Sequence, residues 1–439
     1  MKKSTKTLLI GSAATAAGTL GYLRFADKPK YDALMDKVEA VKCRVSIKCS
    51  EQALPLIDKL FPAPQTVMGE GCARKIPEIC SGLDVNNVMI VTGRTVGKTI
   101  VPPVARDLAL HGVKYTIFDQ VEANPSVNTV EAIRGAYLNN DCDGFLAIGG
   151  GSPMDAAKAA AARVAKPHTP IGKMAGMFKV ATKVAPIICV PTTSGTGSEV
   201  TMGAVISDHE EHHKYAIMDP FLVPKCAVLD PLLTVSMPPF VTATTGIDAL
   251  THAVESYVTW AYNNNASNRN AEEAVCKIFK YILRAYKDGS DIEARDNMLI
   301  ASYKAGLAFN HTGVGYVHAI AHAMGGIYNT AHGLANSVIL PIVLEDYGSA
   351  VHPQLAHLAE ITDVKTSGTD AEKSNAFIAA IRRLNAEMGL PTGFDFLSEN
   401  DYPQIIKWAL AEGNGTYPVP VIYNAARMRH VLNRIKLEA

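Results

Sequence analysis

The sequence predicts an α/β domain with a parallel sheet, followed by an all-α domain. Two observations carry this expectation. Short β-branched strands alternate with helices from about residue 66 to residue 190, the pattern of a parallel sheet with right-handed crossovers. From about Pro239 the strand signals stop, and helix follows helix to the C-terminus. A chain of 439 residues is long enough for two or three domains. The expected ranges are 1–61 for an N-terminal hydrophobic segment and helical extension, 62–238 for the α/β domain and 239–439 for the helical domain.

Composition excludes several classes. Hydrophobic residues make up 48% and charged residues 19%, so large cores are possible and disorder is not expected. The formal net charge is zero, which argues against a nucleic-acid partner. The 8 cysteines form no CxxC pair and lie mostly in apolar surroundings, so they read as buried reduced thiols in a reducing compartment.

At the N-terminus, Lys2, Lys3 and Lys6 precede an uncharged run at 7–23, closed by Arg24. Four readings stay open: a signal peptide cleaved near Ala14-Thr15-Ala16, a short anchor, an import presequence, or a helix on a membrane surface. Leu34, Val38, Val41 and Val45 recur at helical spacing, so a helix is expected within 31–61, ended by Pro62 and Pro64.

In the α/β region, strands are expected at 88–92, 115–119, 144–149 and 185–190. Helices are expected at 101–111, 128–139 and 153–165. The third strand runs into Gly149, Gly150 and Gly151. Ser152 is then expected to cap the next helix, with Pro153 at its first position and Asp155 as a capping-box acid. Bare amides at a helix N-terminus attract phosphate. A second loop, PTTSGTGSE, follows the fourth strand and carries Thr192, Thr193, Ser194, Gly195 and Thr196. Two such loops at the ends of parallel strands point to a dinucleotide. Asp119 ends the second strand, where a carboxylate accepts bonds from a ribose diol and repels a 2′-phosphate, so NAD is expected rather than NADP.

Two apparent motifs are rejected. Gly93-Arg94-Thr95-Val96-Gly97-Lys98-Thr99 has three residues between its glycines where a Walker A loop has four. His209-Glu210-Glu211-His212-His213 matches HExxH in form, but lies between two strand-like runs at 204–207 and 215–218 and reads as a polar hairpin loop.

The helical region holds the metal-binding pattern. Asp248 and His252 are four apart on an apolar helix, hence on one face. An acid buried there is costly unless paired or coordinated. The stretch GYVHAIAHAMGGIYNTAH places His318 and His322 one turn apart. A reversal through the Gly-Gly pair and Asn-Thr then brings His332 back. One carboxylate and three imidazoles would suit Fe2+ or Zn2+; a buried Asp–His hydrogen bond without metal is the simpler alternative.

GGGSPMDAAK, PTTSGTGSEVT, TGIDALTHAVESY and GYVHAIAHAMGGIYNTAHGLANSVILP, in this order, resemble the signature segments of the iron-containing, or group III, alcohol dehydrogenases. The resemblance covers roughly 64–430. It implies the dehydroquinate synthase-like architecture, with a dinucleotide-binding domain before an all-α metal-binding domain. It implies metal ligands at Asp248, His252, His318 and His332, and places His322 near nicotinamide and substrate as the acid–base residue. Asp119, Asn124, Gly150 to Asp155, Thr192 to Thr196, Val205 and Lys214 match cofactor-contacting positions. The implied reaction is hydride transfer between a small alcohol or aldehyde and NAD, with Fe2+ or Zn2+ as metal. The chain departs from the family in its first 60 or so residues. It departs again at 414–423, where many members carry Asn-Pro-Arg. A glycerol dehydrogenase, a synthase that uses NAD transiently and a non-catalytic membrane-tethered binding protein are the alternatives. A cytoplasmic or matrix location is expected from the need for NAD, with membrane association possible through 7–23. The expected partners are the substrate and further copies of the chain, as a dimer or larger homo-oligomer.

Overall fold

The computed structural model describes residues 63–208 and 213–437, together with 36, 37 and 44. Residues 36, 37 and 44 are helical, in keeping with the expected helix within 31–61. The run at 7–23, Cys43, Cys49 and residues 209–212 of the HExxH match lie outside the described residues.

The α/β part begins with β1 (Gln65–Met68) and α1 (Ile76–Gly82), then β2 (Asn87–Val91), α2 (Arg94–Thr99) and α3 (Val101–Leu110). It continues through β3 (Lys114–Phe118), α4 (Val127–Asn139), β4 (Gly144–Gly149) and α5 (Gly151–Ala165). Then come β5 (Gly176–Met177), β6 (Ile187–Pro191), β7 (Gly203–Asp208), β8 (His213–Met218) and β9 (Cys226–Leu229). Six strands form one sheet in the order β1-β9-β6-β4-β2-β3, and every pair in it is parallel. The central strands β4 and β6 are buried at every residue, which is why they read as continuous apolar runs without alternation.

β3 and β4 flank β2 on opposite sides, so the winding direction reverses at β2. The crevice outside the carboxyl ends of β2 and β4 is therefore the place for a ligand. Gly149 ends β4, and Thr92 follows β2, its hydroxyl donating to the Ile148 carbonyl at 2.8 Å.

β7 and β8 form an antiparallel hairpin with β5 added to β8, as a second sheet. This confirms the hairpin reading of the region around the HExxH match. β1, β5 and β9 are strands that the sequence did not announce. Each has at most four residues, and β1 pairs with β9 across most of the α/β part.

One sequence expectation is corrected. α5 starts at Gly151, and extended Gly150 is its N-cap, with no side-chain cap. Ser152 is thus inside the helix; its hydroxyl accepts from the Asn124 amide at 3.3 Å. Asp155 is not a capping-box acid either. Its carboxylate accepts from the Ser198 hydroxyl at 2.7 Å and from the Val205 amide at 3.0 Å.

All later described elements are helices: α6 (Pro239–Val258), α7 (Asn265–Lys287), α8 (Ile292–Thr312), α9 (Tyr316–Tyr328) and α10 (His332–Tyr347). They continue as α11 (His352–Ile361), α12 (Asp370–Glu387), α13 (Tyr402–Thr416) and α14 (Ala425–Ile435), around one large apolar core. Among the described residues, no helix is long and apolar enough to cross a membrane. The described cysteines are free, and all but half-buried Cys276 are buried.

A buried lysine fixes the end of the second loop, and the residues after it, to α5. Lys158 on α5 donates to the carbonyls of Ser198, Thr201 and Gly203 at 2.7, 2.8 and 2.9 Å. Beside it, Glu199 is 1% exposed, and its Oε1 has no hydrogen-bond partner. Burial pushes this carboxyl from 4.5 up to about 7, against the opposing pull of its own backbone amide and of Lys158. A carboxyl raised in this way holds its proton more tightly folded than unfolded. Its contribution to stability is present below pH 4.5 and is lost as pH rises through about 7. In urea denaturation at pH 5 and pH 8, Glu199→Gln is expected to lose less stability over that interval than the native chain, by on the order of 2 kcal/mol. Equal losses would clear Glu199 of this effect.

Candidate functional site

α6 carries the first half of the site. Pro239 at its first turn suits a helix start, and nearly every later residue is buried. On this apolar rod Asp248, His252 and Glu255 are 2%, 5% and 2% exposed. Spacings of four and three put them on one face.

The second half comes from α9 and α10. Extended Gly315 precedes α9, and a Cβ there would lie 2.6 Å from Glu255 Oε1, so only glycine admits the carboxylate. Glu255 accepts from the Val317 amide at 2.8 Å, and its Oε2 lies 2.5 Å from His318 Nδ1. The reversal between helices is made by Asn329, in the left-handed region at φ 53°, with Thr330 and Ala331. Gly325 and Gly326, expected in the turn, instead continue α9. α10 then opens on His332. Gly333 lets it abut α6, since a Cβ would stand 2.2 Å from the Thr244 carbonyl oxygen.

These elements bring Asp248, His318 and His332 together, with one ligand atom of each within 4.8 Å of the others. His332 Nε2 is 3.5 Å and His318 Nε2 3.9 Å from Asp248 Oδ1. His252 stacks on His318 with ring centroids 4.4 Å apart and on Phe309 at 4.2 Å. Its Nδ1 is buried with no hydrogen-bond partner.

Burial holds all three imidazoles neutral. It carries His318 well below its usual range, helped by the neighbouring imidazoles, and brings His332 down to about 4 despite Asp248. It also lowers His252, against Asp248 and the Gly195 backbone. Neutral imidazole with a free lone pair is the metal-binding form. The donor set of one carboxylate and three neutral imidazoles, one of them with an orphaned buried nitrogen, fits a divalent metal of the Fe2+ or Zn2+ kind.

His322, one turn after His318, points elsewhere. Its Nδ1 lies 2.8 Å from Glu412 Oε1, and the Tyr417 hydroxyl donates to the same oxygen at 2.5 Å. Burial pulls the His322 pKa down, but the Glu412 carboxylate outweighs it and the net shift is upward. The ring stacks on His332 at 5.1 Å.

The two glycine-containing loops pack on each other. A Cβ on Gly150 would sit 3.1 Å from the Thr193 hydroxyl, and one on Gly151 2.9 Å from Thr196. The Thr192 amide donates to the Gly149 carbonyl at 2.9 Å. Gly195 meets Thr245 of α6, and Ser194 is buried with an unpartnered hydroxyl. Asn124, left-handed at φ 60°, reaches from the α/β part to Asn329, donating through Nδ2 at 3.1 Å. Lys214 on β8 lies against Gly325 of α9, and burial brings its ammonium down to about 8. Asp155 and Val205 are bonded to each other, so they brace the loops from behind. Asp119 follows β3 beside Gly97, whose Cβ would stand 2.9 Å from that of Asp119. A cavity of about 410 Å³ opens next to it, lined by Gly93, Arg94, Thr95, Val96, Gln120, Val121 and Glu122. The segment that fails as a Walker A loop thus forms one wall of the cavity beside Asp119.

Two family models match successive parts of the chain. Residues 63–231 match iron-containing alcohol dehydrogenase, and residues 242–435 match the C-terminal domain of the Fe-containing alcohol dehydrogenase family. The chain belongs to the iron-containing alcohol dehydrogenase family. It is an oxidoreductase acting on alcohols. It is 34% identical to the 1,3-propanediol dehydrogenase of Klebsiella pneumoniae over 84% of this chain and 95% of that one. It is also 34% identical to the NAD-dependent methanol dehydrogenase of Bacillus methanolicus, over 76% and 88% of the two chains. The crystal structure of a 1,3-propanediol oxidoreductase superposes with a TM-score of 0.82 at 32% identity, covering 85% of this chain and 99% of that one.

Three residues of this iron-containing alcohol dehydrogenase escaped the sequence reading: Glu255, Asn336 and Glu412. Glu255 had a signal, the helical spacing that it shares with Asp248 and His252. The Glu255 side chain at His318 Nδ1 orients the ring with Nε2 toward Asp248. Burial pushes the Glu255 carboxyl up to about 8, against hydrogen bonds from the backbone of Val317, Gly315 and His318. In Glu255→Gln one of the two oxygen positions, facing Val317 or His318, carries an NH2 group that cannot accept. The variant is expected to bind metal about 10- to 100-fold more weakly in anaerobic titrations. Native affinity would show that His318 needs no such support.

Proposed function

We propose that this chain interconverts a small primary alcohol or diol with its aldehyde, with NAD carrying the hydride and one divalent metal, Fe2+ or alternatively Zn2+, in the site. The observation that carries this reading is the convergence of Asp248, His318 and His332 beside the orphaned Nδ1 of His252. Those four residues would hold the metal. A metal bound there supplies Lewis acidity toward the alcohol oxygen.

The chain's own groups do the rest. Residues 62–238 form the NAD-binding domain and 239–439 the metal-binding catalytic domain. The first turn of α5, with Gly149, Gly150, Gly151 and Ser152, offers amides to the pyrophosphate. Thr192, Thr193, Ser194, Gly195 and Thr196 line the cofactor's path toward α6, and Asn124 and Lys214 close it from the side. Asp119 receives the adenosine ribose. His322, charged more readily because of Glu412, takes or returns the hydroxyl proton. The relatives that act on 1,3-propanediol and methanol support short alcohols as the substrate class. A cytoplasmic location, membrane association through 7–23 and a homo-oligomer belong to the same reading; cell fractionation and sedimentation of the full chain test them.

Two experiments test the core of it. Protein purified anaerobically is expected to contain about one equivalent of metal and to form NADH with short alcohols or diols. His318→Ala is expected to lose both, and full activity in that metal-free variant would sink the Lewis-acid role. Asp119→Gly is expected to raise kcat/KM for NADP relative to NAD by about tenfold, ~1.4 kcal/mol in transition-state stabilisation. An unchanged ratio would take Asp119 out of the ribose site.

A further inference from the structure

The ring of His322 is held by one hydrogen bond. Its Nδ1 lies 2.8 Å from Glu412 Oε1. Its other nitrogen, Nε2, has no hydrogen-bond partner among the described residues and is not buried. Glu412 is a loosely tethered arm. Its side chain is 30% exposed, and its Oε2 bonds to nothing among the described residues. What pins it is a second bond to the same Oε1, donated by the Tyr417 hydroxyl at 2.5 Å.

Tyr417, by contrast, is firmly placed. It is buried and follows α13 directly. Its amide donates to the Gly413 carbonyl at 3.2 Å, and the carbonyl of the next residue, Pro418, accepts from the Trp260 amide at 3.1 Å. Gly313, in the loop before α9, lies so close that a Cβ there would stand 3.4 Å from the Tyr417 ring. A fixed phenol thus holds a swivelling carboxylate, and the carboxylate holds the imidazole. Without the phenol, a part-exposed carboxylate gains hydration by turning outward and letting go of the ring.

We propose that Tyr417 is a positioning residue for the reaction, keeping Glu412 on His322 Nδ1 so that Nε2 faces the substrate hydroxyl. The inference rests on the proton role given to His322 above. A carboxylate at Nδ1 selects the neutral tautomer with its proton there, which leaves the lone pair on Nε2. A base oriented in this way by a third group is a recurring catalytic arrangement. Tyr417 falls within 414–423, where the chain departs from the family pattern, so that pattern does not supply this anchor.

A double-mutant cycle in the full-length, metal-replete chain tests this, with a short alcohol and NAD as substrates. Tyr417→Phe removes only the hydroxyl. It is expected to lower kcat about tenfold, with metal content and KM for NAD unchanged. In the His322→Ala background the same change is expected to alter kcat by less than about twofold, because no ring is left to hold. Native kcat in Tyr417→Phe would overturn the proposal. So would an equal loss in both backgrounds, the result of a merely structural tyrosine. Where His322→Ala leaves no measurable turnover, Glu412→Gln serves as the background, with the same expectation. Where Tyr417→Phe does not fold, native kcat in Glu412→Gln overturns the proposal. Native kcat in His322→Ala would overturn the proton role of His322, and this pair with it. A metal-replete native chain that forms no NADH would overturn the proposed function itself, a result distinct from failure of Tyr417 alone.

Discussion

A single carboxylate in an apolar helix governs the architecture around it. Asp248 is 2% exposed, and the imidazoles facing it are kept neutral by the same burial. Neutral rings cannot cancel a buried negative charge, and the hydrogen bond from Asn336 offsets only part of its desolvation. A cation where Asp248, His318 and His332 converge would resolve the conflict. The surroundings are arranged accordingly: α9 and α10 reverse within three residues to return His332, and Gly333 removes the one atom that would hold α10 away from α6.

The two glycine-containing loops are built on a different principle. Their side chains are mostly small, and their shape comes from backbone held at close range. Lys158 gathers the carbonyls of Ser198, Thr201 and Gly203, and Asp155 ties Ser198 to Val205. Gly150 and Gly151 then let the first loop settle against the threonines of the second. The result is a rigid floor at the strand ends, where the winding of the sheet reverses. Asn124 and Lys214 connect that floor to α9 and its turn, which ties the two loops to the histidine helices.

Much of this was legible in the sequence. Period and loop chemistry announce the central strands and the helices after them, and the four-residue spacings of Asp248, His252, His318 and His322 place their side chains on common faces. What was hidden follows a physical pattern. β1 and β9 are short and pair across most of the α/β part, so neither has a local signature. Ser152 looks like a helix cap because Gly150, which has no side chain to reveal it, does the capping. Glu412 meets His322 only through the packing of α13 on α9, and nothing near residue 412 signals a histidine neighbour. Asn336 sits in the apolar run ANSVILP, where a lone polar residue is a visible anomaly. Its partners, Asp248, His318 and His332, come from three separate helices, so the anomaly could be noticed but not explained.

The wide dispersion of those donors along the chain gives the ion a second role. They sit on α6, α9 and α10, from position 248 to position 332, and none of these helices offers more than two of them. An unfolded chain therefore has no comparable site, so each increment of metal binding is also an increment of folding free energy. Metal supply would then set the lifetime and abundance of the folded protein as well as its turnover.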